Sequence, residues 1–248
     1  MSSNFIDNLK EKMNLSSSKE IYNNFKEDEA PEIKLEEYPI SMEARANSIN
    51  WIKFLCSKLS FSDQTLFRTI SIFDQYICKM SIDEIQNISQ NYINLITIAC
   101  LSLSTKLEEI NCNYINFLNE NVLNPKNEKI FKNEDLTRME IKILKALKYK
   151  IIYSTPLDFI DIYSKAFEKY IEKNKMSIID IISDIKMLSI TIIKDNINNC
   201  DYLFNSSSNL ALFFYIQAFN QIIMAKNLKM KEVEKIPINL NFLVSNIF

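Results

Sequence analysis

The 248-residue chain contains neither glycine nor histidine. Without glycine, a Walker loop, a GxGxxG turn and a nucleophile elbow are excluded, because each needs backbone positions that a side chain would block. Without histidine, the chain lacks the commonest general base and metal ligand. No pair of carboxylates and no activated nucleophile stands at a recognisable spacing among the remaining residue types. The sequence therefore predicts a protein that is not an enzyme, with no cofactor and no metal.

The cysteine spacing and the net charge further limit the kinds of site and partner that the protein can have. The five cysteines are Cys56, Cys78, Cys100, Cys112 and Cys200, without a CxxC pair. With no signal peptide ahead of them, we expect free thiols in a reducing compartment rather than a zinc site or a disulfide framework. The formal net charge is −2 and the pI is about 5.5. This balance gives no basic footprint for nucleic acid, so a protein partner is predicted.

The central element is predicted at Asn91 to Ile110, an apolar run that becomes charged at Lys106, Glu108 and Glu109. It contains no proline, and its Asn, Ser and Thr residues make it a poor membrane span. A helix that is apolar nearly all round must be buried on most sides. We expect its charged end to emerge at the surface and to carry the function.

The rest of the chain is predicted to be all-α, in two helical domains. The run Tyr149 to Tyr153 resembles a strand, but helices flank it closely. The segment Leu210 to Phe219 is expected to be the buried central helix of the second domain. The other predicted helices are 19–29, 41–60, 62–79 with Ser62 as N-cap, 114–118, one capped by Asn133, 156–173, 177–196 and 208–225.

Asp74 falls inside an otherwise apolar helical stripe. A buried carboxylate is costly unless a cation or hydrogen-bond donors meet it. Arg45, on the neighbouring predicted helix, is the candidate partner. The alternative is that Asp74 lies on a solvated edge of its helix.

A set of residues in fixed order resembles the cyclin box. The matching residues are Arg45-Ala46, Trp51, Thr65-Leu66, Asp74, Lys106-Leu107-Glu108-Glu109-Ile110, Arg138-Met139-Glu140, Leu144, Leu147, Thr155-Pro156 and Phe159. Glu20-Ile21-Tyr22 and Glu29 are similar to the amino-terminal helix of the mitotic A/B-type cyclins. Ser207-Ser208-Asn209-Leu210-Ala211 resembles the Pro-Ser-x-x-Ala turn of the second box, with Ser207 in place of proline.

The resemblance implies tandem five-helix cyclin folds preceded by an amino-terminal helix. The implied domains are an amino-terminal segment at 1–40, a first fold at 41–153, and a second fold at 154–248 that we expect to be incomplete. It implies a non-enzymatic subunit that binds and allosterically activates a cyclin-dependent protein kinase. The expected setting is cell-cycle control in the nucleus and cytoplasm.

The resemblance also assigns roles to individual residues. In the family, the positions of Arg45, Asp74, Leu95, Lys106 and Glu140 form the most characteristic set. Arg45 and Asp74 are implied to form a buried structural ion pair, and Lys106 and Glu140 to grip the regulatory helix of the kinase. The other implied kinase contacts are Leu107, Leu144, Ile151, Ile21 and Phe25, although the last two could instead dock onto their own domain.

The match weakens at the substrate-docking groove of the family. Trp51 is kept, but Asn47 and Ser48 are polar where the groove has aliphatic residues, and Phe54 replaces a glutamate. With Asn94 completing this degenerate groove, we do not expect ordinary docking of Arg-x-Leu segments.

Two other readings remain open. One is a transcriptional-type cyclin, which would lack the Glu20-Ile21-Tyr22 helix. The other is a cyclin-fold scaffold that has lost kinase activation, against which Lys106 and Glu140 argue. A DNA-binding initiation factor of this fold should be basic, which this chain is not.

Overall fold

The computed structural model describes residues 19–34, 36, 38–86, 88–110, 131–173 and 181–226. The predicted all-α class is confirmed, and the described residues contain no β-strand, including those from 149 to 153. The helices are α1 (19–27), α2 (Met42–Lys58), α3 (Asp63–Ile77), α4 (Ile82–Gln86), α5 (Gln90–Glu108), α6 (Asn133–Ala146), α7 (Pro156–Lys173), α8 (Ile181–Asn196), α9 (Cys200–Phe204) and α10 (Ser207–Ala225).

The chain divides into two compact units. The first unit comprises Ala30–Thr155 and Ile197–Asn205, and the second comprises Met1–Glu29, Pro156–Asn196 and Ser206–Phe248. The segments around Tyr114–Leu118 and Ser177, together with Cys112 and the chain after residue 226, lie outside the described residues.

Serine side chains begin five of the described helices. Ser41, Ser62, Ser81, Ser89 and Ser206 each accept a hydrogen bond from the backbone N–H three residues later. Such caps satisfy one of the N–H groups that a helix start leaves without an intrahelical partner. The predicted cap at Ser62 is thereby confirmed.

The predicted cap at Asn133 is wrong. Lys132 occupies the N-cap of α6 without a side-chain hydrogen bond, and Asn133 is the first helical residue. Glu134 and Asp135 lie in the first turn of this helix instead. Their negative charges compensate for the missing cap, because carboxylates favour the positive end of a helix dipole.

Two helices of the first unit end in the same way. After α2, Phe61 N–H donates to Cys56 C=O at 2.9 Å, and after α6, Tyr149 N–H donates to Leu144 C=O at 2.8 Å. These are Schellman endings, which need a left-handed residue where glycine is usual. The glycine-free chain places Ser60 (φ 55°), Lys148 (φ 51°) and Tyr149 (φ 62°) in this conformation instead.

The central helix of the first unit is α5, as predicted. It packs against α2, α3 and α6, and its residues from Ile96 to Thr105 are all buried. Two of its buried hydroxyls bond to carbonyls of their own helix: Thr97 donates to the Ile93 carbonyl at 2.8 Å and Ser104 to the Cys100 carbonyl at 3.0 Å, whereas the buried Ser102 hydroxyl has no hydrogen-bond partner among the described residues. These bonds allow polar residues in the middle of the core.

In the second unit, α10 packs against α7 and α8. It buries Leu210, Ala211, Leu212, Phe214, Tyr215, Ala218 and Phe219, which confirms the prediction of a buried helix. No described helix is both long enough and apolar enough to cross a bilayer.

Candidate partner-binding site

The charged end of α5 meets α6 through one ion pair. Lys106 Nζ lies 2.6 Å from Glu140 Oε1 and 2.7 Å from Glu140 Oε2, so the lysine contacts both carboxylate oxygens. The side chain of Lys106 is 38% exposed, whereas that of Glu140 is 7% exposed. The pair therefore has one solvated member and one member held against the helix surface.

Apolar side chains adjoin both members of this pair in the sequence, and others follow α6. Of the predicted contacts, Leu107 is exposed, Leu144 is half-buried and Ile151 is buried. Exposed large hydrophobic residues that the sequence reasoning did not select are Ile110, Ile141, Tyr149 and Ile152. Their signal in the sequence is that each lies within three places of a selected residue along the chain. Leu95 lies half-buried on α5, packed against the core.

Polar contacts, from exposed to buried, hold the end of α5 in place. Glu109 Oε1 accepts hydrogen bonds from the Ser62 N–H at 2.8 Å, the Ser62 hydroxyl at 2.9 Å and the Thr65 hydroxyl at 2.5 Å. Arg68 donates to Glu108 Oε1 at 2.6 Å and to the Tyr153 carbonyl. The two acids that follow Lys106-Leu107 thus fix α5 against α3 and against the segment after α6.

The pKa of Glu109 reflects these contacts. Partial burial by itself raises the pKa of the carboxyl, but the hydrogen bonds from Thr65 and Ser62 outweigh it and bring the pKa below its usual range. Hydrogen bonds to the ionised form favour that form. Glu109 is therefore a charged acceptor at neutral pH.

The structure brings Arg45 and Asp74 together. Arg45 Nε donates to Asp74 Oδ1 at 2.9 Å and Arg45 Nη2 to Asp74 Oδ2 at 2.8 Å, a bidentate pair. Arg45 is fully buried and Asp74 is 5% exposed. Asp74 thus does not lie on a solvated edge, and the pair has the geometry of the stronger Arg–carboxylate interactions.

Further groups complete this buried network. The Tyr38 hydroxyl donates to Asp74 Oδ1 at 2.6 Å, and Arg45 Nη1 donates to the Ile197 carbonyl at 3.1 Å. The guanidinium carbon also lies 6.0 Å from the centre of the Tyr202 ring. Burial lowers the pKa of Arg45, but Asp74 raises it by more, so the guanidinium stays charged. Burial and Asp74 both raise the pKa of Tyr38, which remains a neutral donor.

The two kinase contacts predicted on the amino-terminal helix, Phe25 and Ile21, differ in burial. Phe25 packs edge-on against Phe159 of α7, with ring centres 6.2 Å apart, whereas Ile21 is 48% exposed. Glu29 holds the end of the same segment by accepting the Ser208 N–H at 2.6 Å. Phe25 therefore docks onto its own unit, and Ile21 is the one available for a partner.

The residues predicted for the degenerate docking groove also differ in burial. Asn47 is exposed, Trp51 and Asn94 are half-buried, and Ser48 is buried at 2% exposure. The Ser48 hydroxyl donates to the Ala44 carbonyl of its own helix at 3.1 Å. Ser48 therefore does not present its side chain to a surface groove, because its position faces the packed side of α2.

Among the described residues, the cysteines and acids form neither a disulfide nor a metal site. Cys56, Cys78, Cys100 and Cys200 take part in no disulfide. Within the described ranges, no group of three or more Cys, Asp or Glu residues could hold a metal ion.

Comparison with known proteins places this site in a family. Residues 13–152 match the model of the family described as "Cyclin, N-terminal domain". The chain is 30% identical over 125 residues to "G2/mitotic-specific cyclin-3" of Saccharomyces cerevisiae, covering 49% of this chain and 26% of that protein. It is 30% identical over 117 residues to "Cyclin-D3-1" of Arabidopsis thaliana, covering 47% of this chain and 29% of that protein.

The matched region thus spans between a quarter and a third of the length of these relatives. Among solved structures, a viral cyclin from herpesvirus saimiri is similar in fold, with a TM-score of 0.61 and 18% sequence identity. That likeness covers 84% of this chain and 82% of the viral one.

Proposed function

Because this chain belongs to the cyclin family, we propose that it binds and allosterically activates a cyclin-dependent serine/threonine protein kinase and performs no chemistry itself. The observation that carries the proposal is the Lys106–Glu140 pair at the meeting of α5 and α6, bordered by the exposed side chains of Leu107 and Ile141. Relatives named as mitotic and D-type cyclins favour a role in cell division over one in transcription.

The pair is suited to an exchange of partners. In the isolated chain, Lys106 and Glu140 satisfy each other, and a half-exposed ion pair of this kind adds at most about 1 kcal/mol to stability. Covered by a kinase helix, each group would bond to the kinase instead, in surroundings from which water has been removed. Truncating one member of a desolvated charge pair costs about 2–5 kcal/mol of binding.

Activation follows from differential affinity. A kinase whose regulatory helix has an active and an inactive position is driven to the active one by any surface that binds that position more tightly. The active position restores the Lys–Glu ion pair of the kinase that orients ATP. Leu107, Leu144 and Ile151 would supply the apolar contacts that bind the helix. Ile21, on the other unit, stays a separate predicted contact.

To test this, the purified chain is mixed with monomeric cyclin-dependent kinases. Binding to each kinase and phosphorylation of histone by the mixture are then measured. We expect activation by the wild type, and at least about a 30-fold weaker Kd for Lys106→Ala/Glu140→Ala, equivalent to a loss of about 2 kcal/mol.

The matched control is Lys142→Ala/Glu84→Ala, which removes another Lys–Glu ion pair from the same unit. Binding should be unchanged in this control. Equal binding by the two double variants would contradict the proposed contact surface, and binding without activation would favour the scaffold function. We further propose that the complex is found in the nucleus and the cytoplasm.

A further inference from the structure

A second feature of α6 lies beside the Lys106–Glu140 site. Lys145, Lys148 and Lys150 are exposed at the end of the helix and in the turn that follows it. Two exposed apolar side chains, Ile141 at 46% and Tyr149 at 68% exposure, lie among them. We call these five residues the cationic strip.

The sequence that contains the strip has an unbalanced charge. From residue 141 to residue 152, the sequence IKILKALKYKII contains four lysines and no acid. The fourth, Lys142, is engaged elsewhere, because it pairs with Glu84 and donates to the Tyr92 hydroxyl at 2.7 Å. The whole chain has a formal net charge of −2, so this local excess of positive charge is not a property of the average surface.

Helix stability does not account for the strip. A lysine in the last turn of a helix interacts favourably with the helix dipole, and Lys145 is such a residue. Lys148 and Lys150 lie beyond the end of α6, and the exposed Tyr149 gains nothing from the dipole.

The strip is continuous with the proposed kinase-binding surface. Ile141 is the neighbour of Glu140 in sequence and lies one helical turn from Leu144, and residues three or four apart share a helix face. Ile152, 61% exposed, follows the predicted contact Ile151. A partner helix bound to Lys106 and Glu140 would therefore have adjoining parts within reach of the strip.

We infer that the cationic strip is an electrostatic docking surface for the kinase, which presents acidic side chains next to the segment that binds Lys106 and Glu140. This inference rests on the proposed function and adds to it a criterion for choosing the kinase. Charges at the rim of an interface act mainly on the association rate and on its salt dependence, while apolar contacts such as those of Ile141 and Tyr149 act on dissociation.

The experiment measures association rates with the activated kinase at several salt concentrations. Lys145→Gln/Lys148→Gln/Lys150→Gln should lower the association rate roughly 10-fold at about 20 mM salt and leave it nearly unchanged at about 0.5 M, where charges are screened within a few ångströms. Arginine at the same three positions should keep the wild-type rate.

Lys58→Gln/Lys79→Gln/Lys132→Gln is the matched control, since it removes three exposed lysines from elsewhere on the first unit. It should change the rate much less than the strip variant does. Equal effects of the two triple variants would overturn the inference, because net charge and not the strip would then be responsible.

The proposed function and the docking role of the strip are distinguished by their outcomes. A wild-type chain that binds no cyclin-dependent kinase overturns the proposed function and the inference with it. A wild-type chain that binds and activates, beside a strip variant with an unchanged rate and salt dependence, overturns the inference alone. Circular dichroism of each variant checks that the helices are intact.

Discussion

The buried Arg45–Asp74 network allows a quantitative prediction about stability. Replacing Asp74 with alanine removes the acceptor of two Arg45 hydrogen bonds and of one from Tyr38. Arg45 is fully buried, with 0% of its surface exposed to solvent. The guanidinium therefore cannot replace these hydrogen bonds with bonds to water. Its remaining contacts are the Ile197 carbonyl and the face of the Tyr202 ring.

The expected cost is large because a charge remains buried without its partner. Breaking a buried ion pair on one side costs about 3–5 kcal/mol. Removing the Tyr38 hydroxyl with Tyr38→Phe takes away only one hydrogen bond to a charged group, and we expect about 1.5–3 kcal/mol for that change. Arg45→Met/Tyr38→Phe/Asp74→Leu removes every charged member together and should cost less than Asp74→Ala alone.

The assay is urea unfolding of the full chain followed by tryptophan fluorescence. Trp51 is the only tryptophan and lies half-buried on α2, so its emission reports on the first unit. With a denaturant slope of about 2 kcal/mol per molar urea, Asp74→Ala should lower the midpoint by about 2 M. The control Lys142→Ala/Glu84→Ala, an exposed pair, should lower it by no more than about 0.5 M.

Two results would refute this reasoning. If Asp74→Ala shifted the midpoint no more than the exposed control pair does, burial would not be raising the cost of the lost partner. If the triple replacement were clearly less stable than Asp74→Ala, the energy would come from the ionic interactions themselves rather than from the penalty of an unpaired charge.

Two further predictions concern helix ends. Since the pKa of Glu109 is lowered in the folded chain, its stabilising effect is present above its unfolded pKa of about 4.3 and is lost as the pH falls through the folded value. Glu109→Gln should therefore weaken the fall in unfolding free energy below about pH 4.3, and urea midpoints that decline in parallel for both proteins would contradict this. Ser60→Gly should raise the unfolding free energy by about 0.5–1 kcal/mol, because glycine relieves the left-handed conformation at a smaller entropic cost. Ser57→Gly, in the last turn of the same helix, should lower it by about 1 kcal/mol, and equal signs for the two changes would rule out the conformational explanation.

The sequence was sufficient for features that depend on local pattern. The apolar run from Asn91 gave the central helix α5 because its composition leaves no polar face for solvent. Ser62 was recognisable as a cap because a serine before an apolar helical stripe satisfies an exposed N–H group. The prediction at Asn133 failed because Lys132, one residue earlier, ends the extended segment, and no side chain of the cap type stands there.

Contacts between distant residues were only partly predictable. Asp74 in an apolar stripe required a cation, and Arg45 was the nearest choice on the preceding helix. Tyr38 and the Ile197 carbonyl were not predicted, since no local pattern marks a hydroxyl or a backbone carbonyl as the donor or acceptor of a distant pair. The role of Glu109 as an acceptor for the start of α3 was missed for the same reason. The bounds 41–153 and 154–248 for the two folds stay predictions.

The absence of glycine limits the functions open to the chain, and in the structure it also affects the fold. Both Schellman endings of the first unit use residues with side chains, at Ser60 and at Lys148-Tyr149. At Ser60 the side chain is exposed in a simple connection between α2 and α3, and glycine would serve equally well there. At Lys148 and Tyr149 the strained residues present a charge and an aromatic ring next to Leu144 and Ile151. A glycine at either of these two positions would relieve the backbone but would remove part of the proposed docking surface.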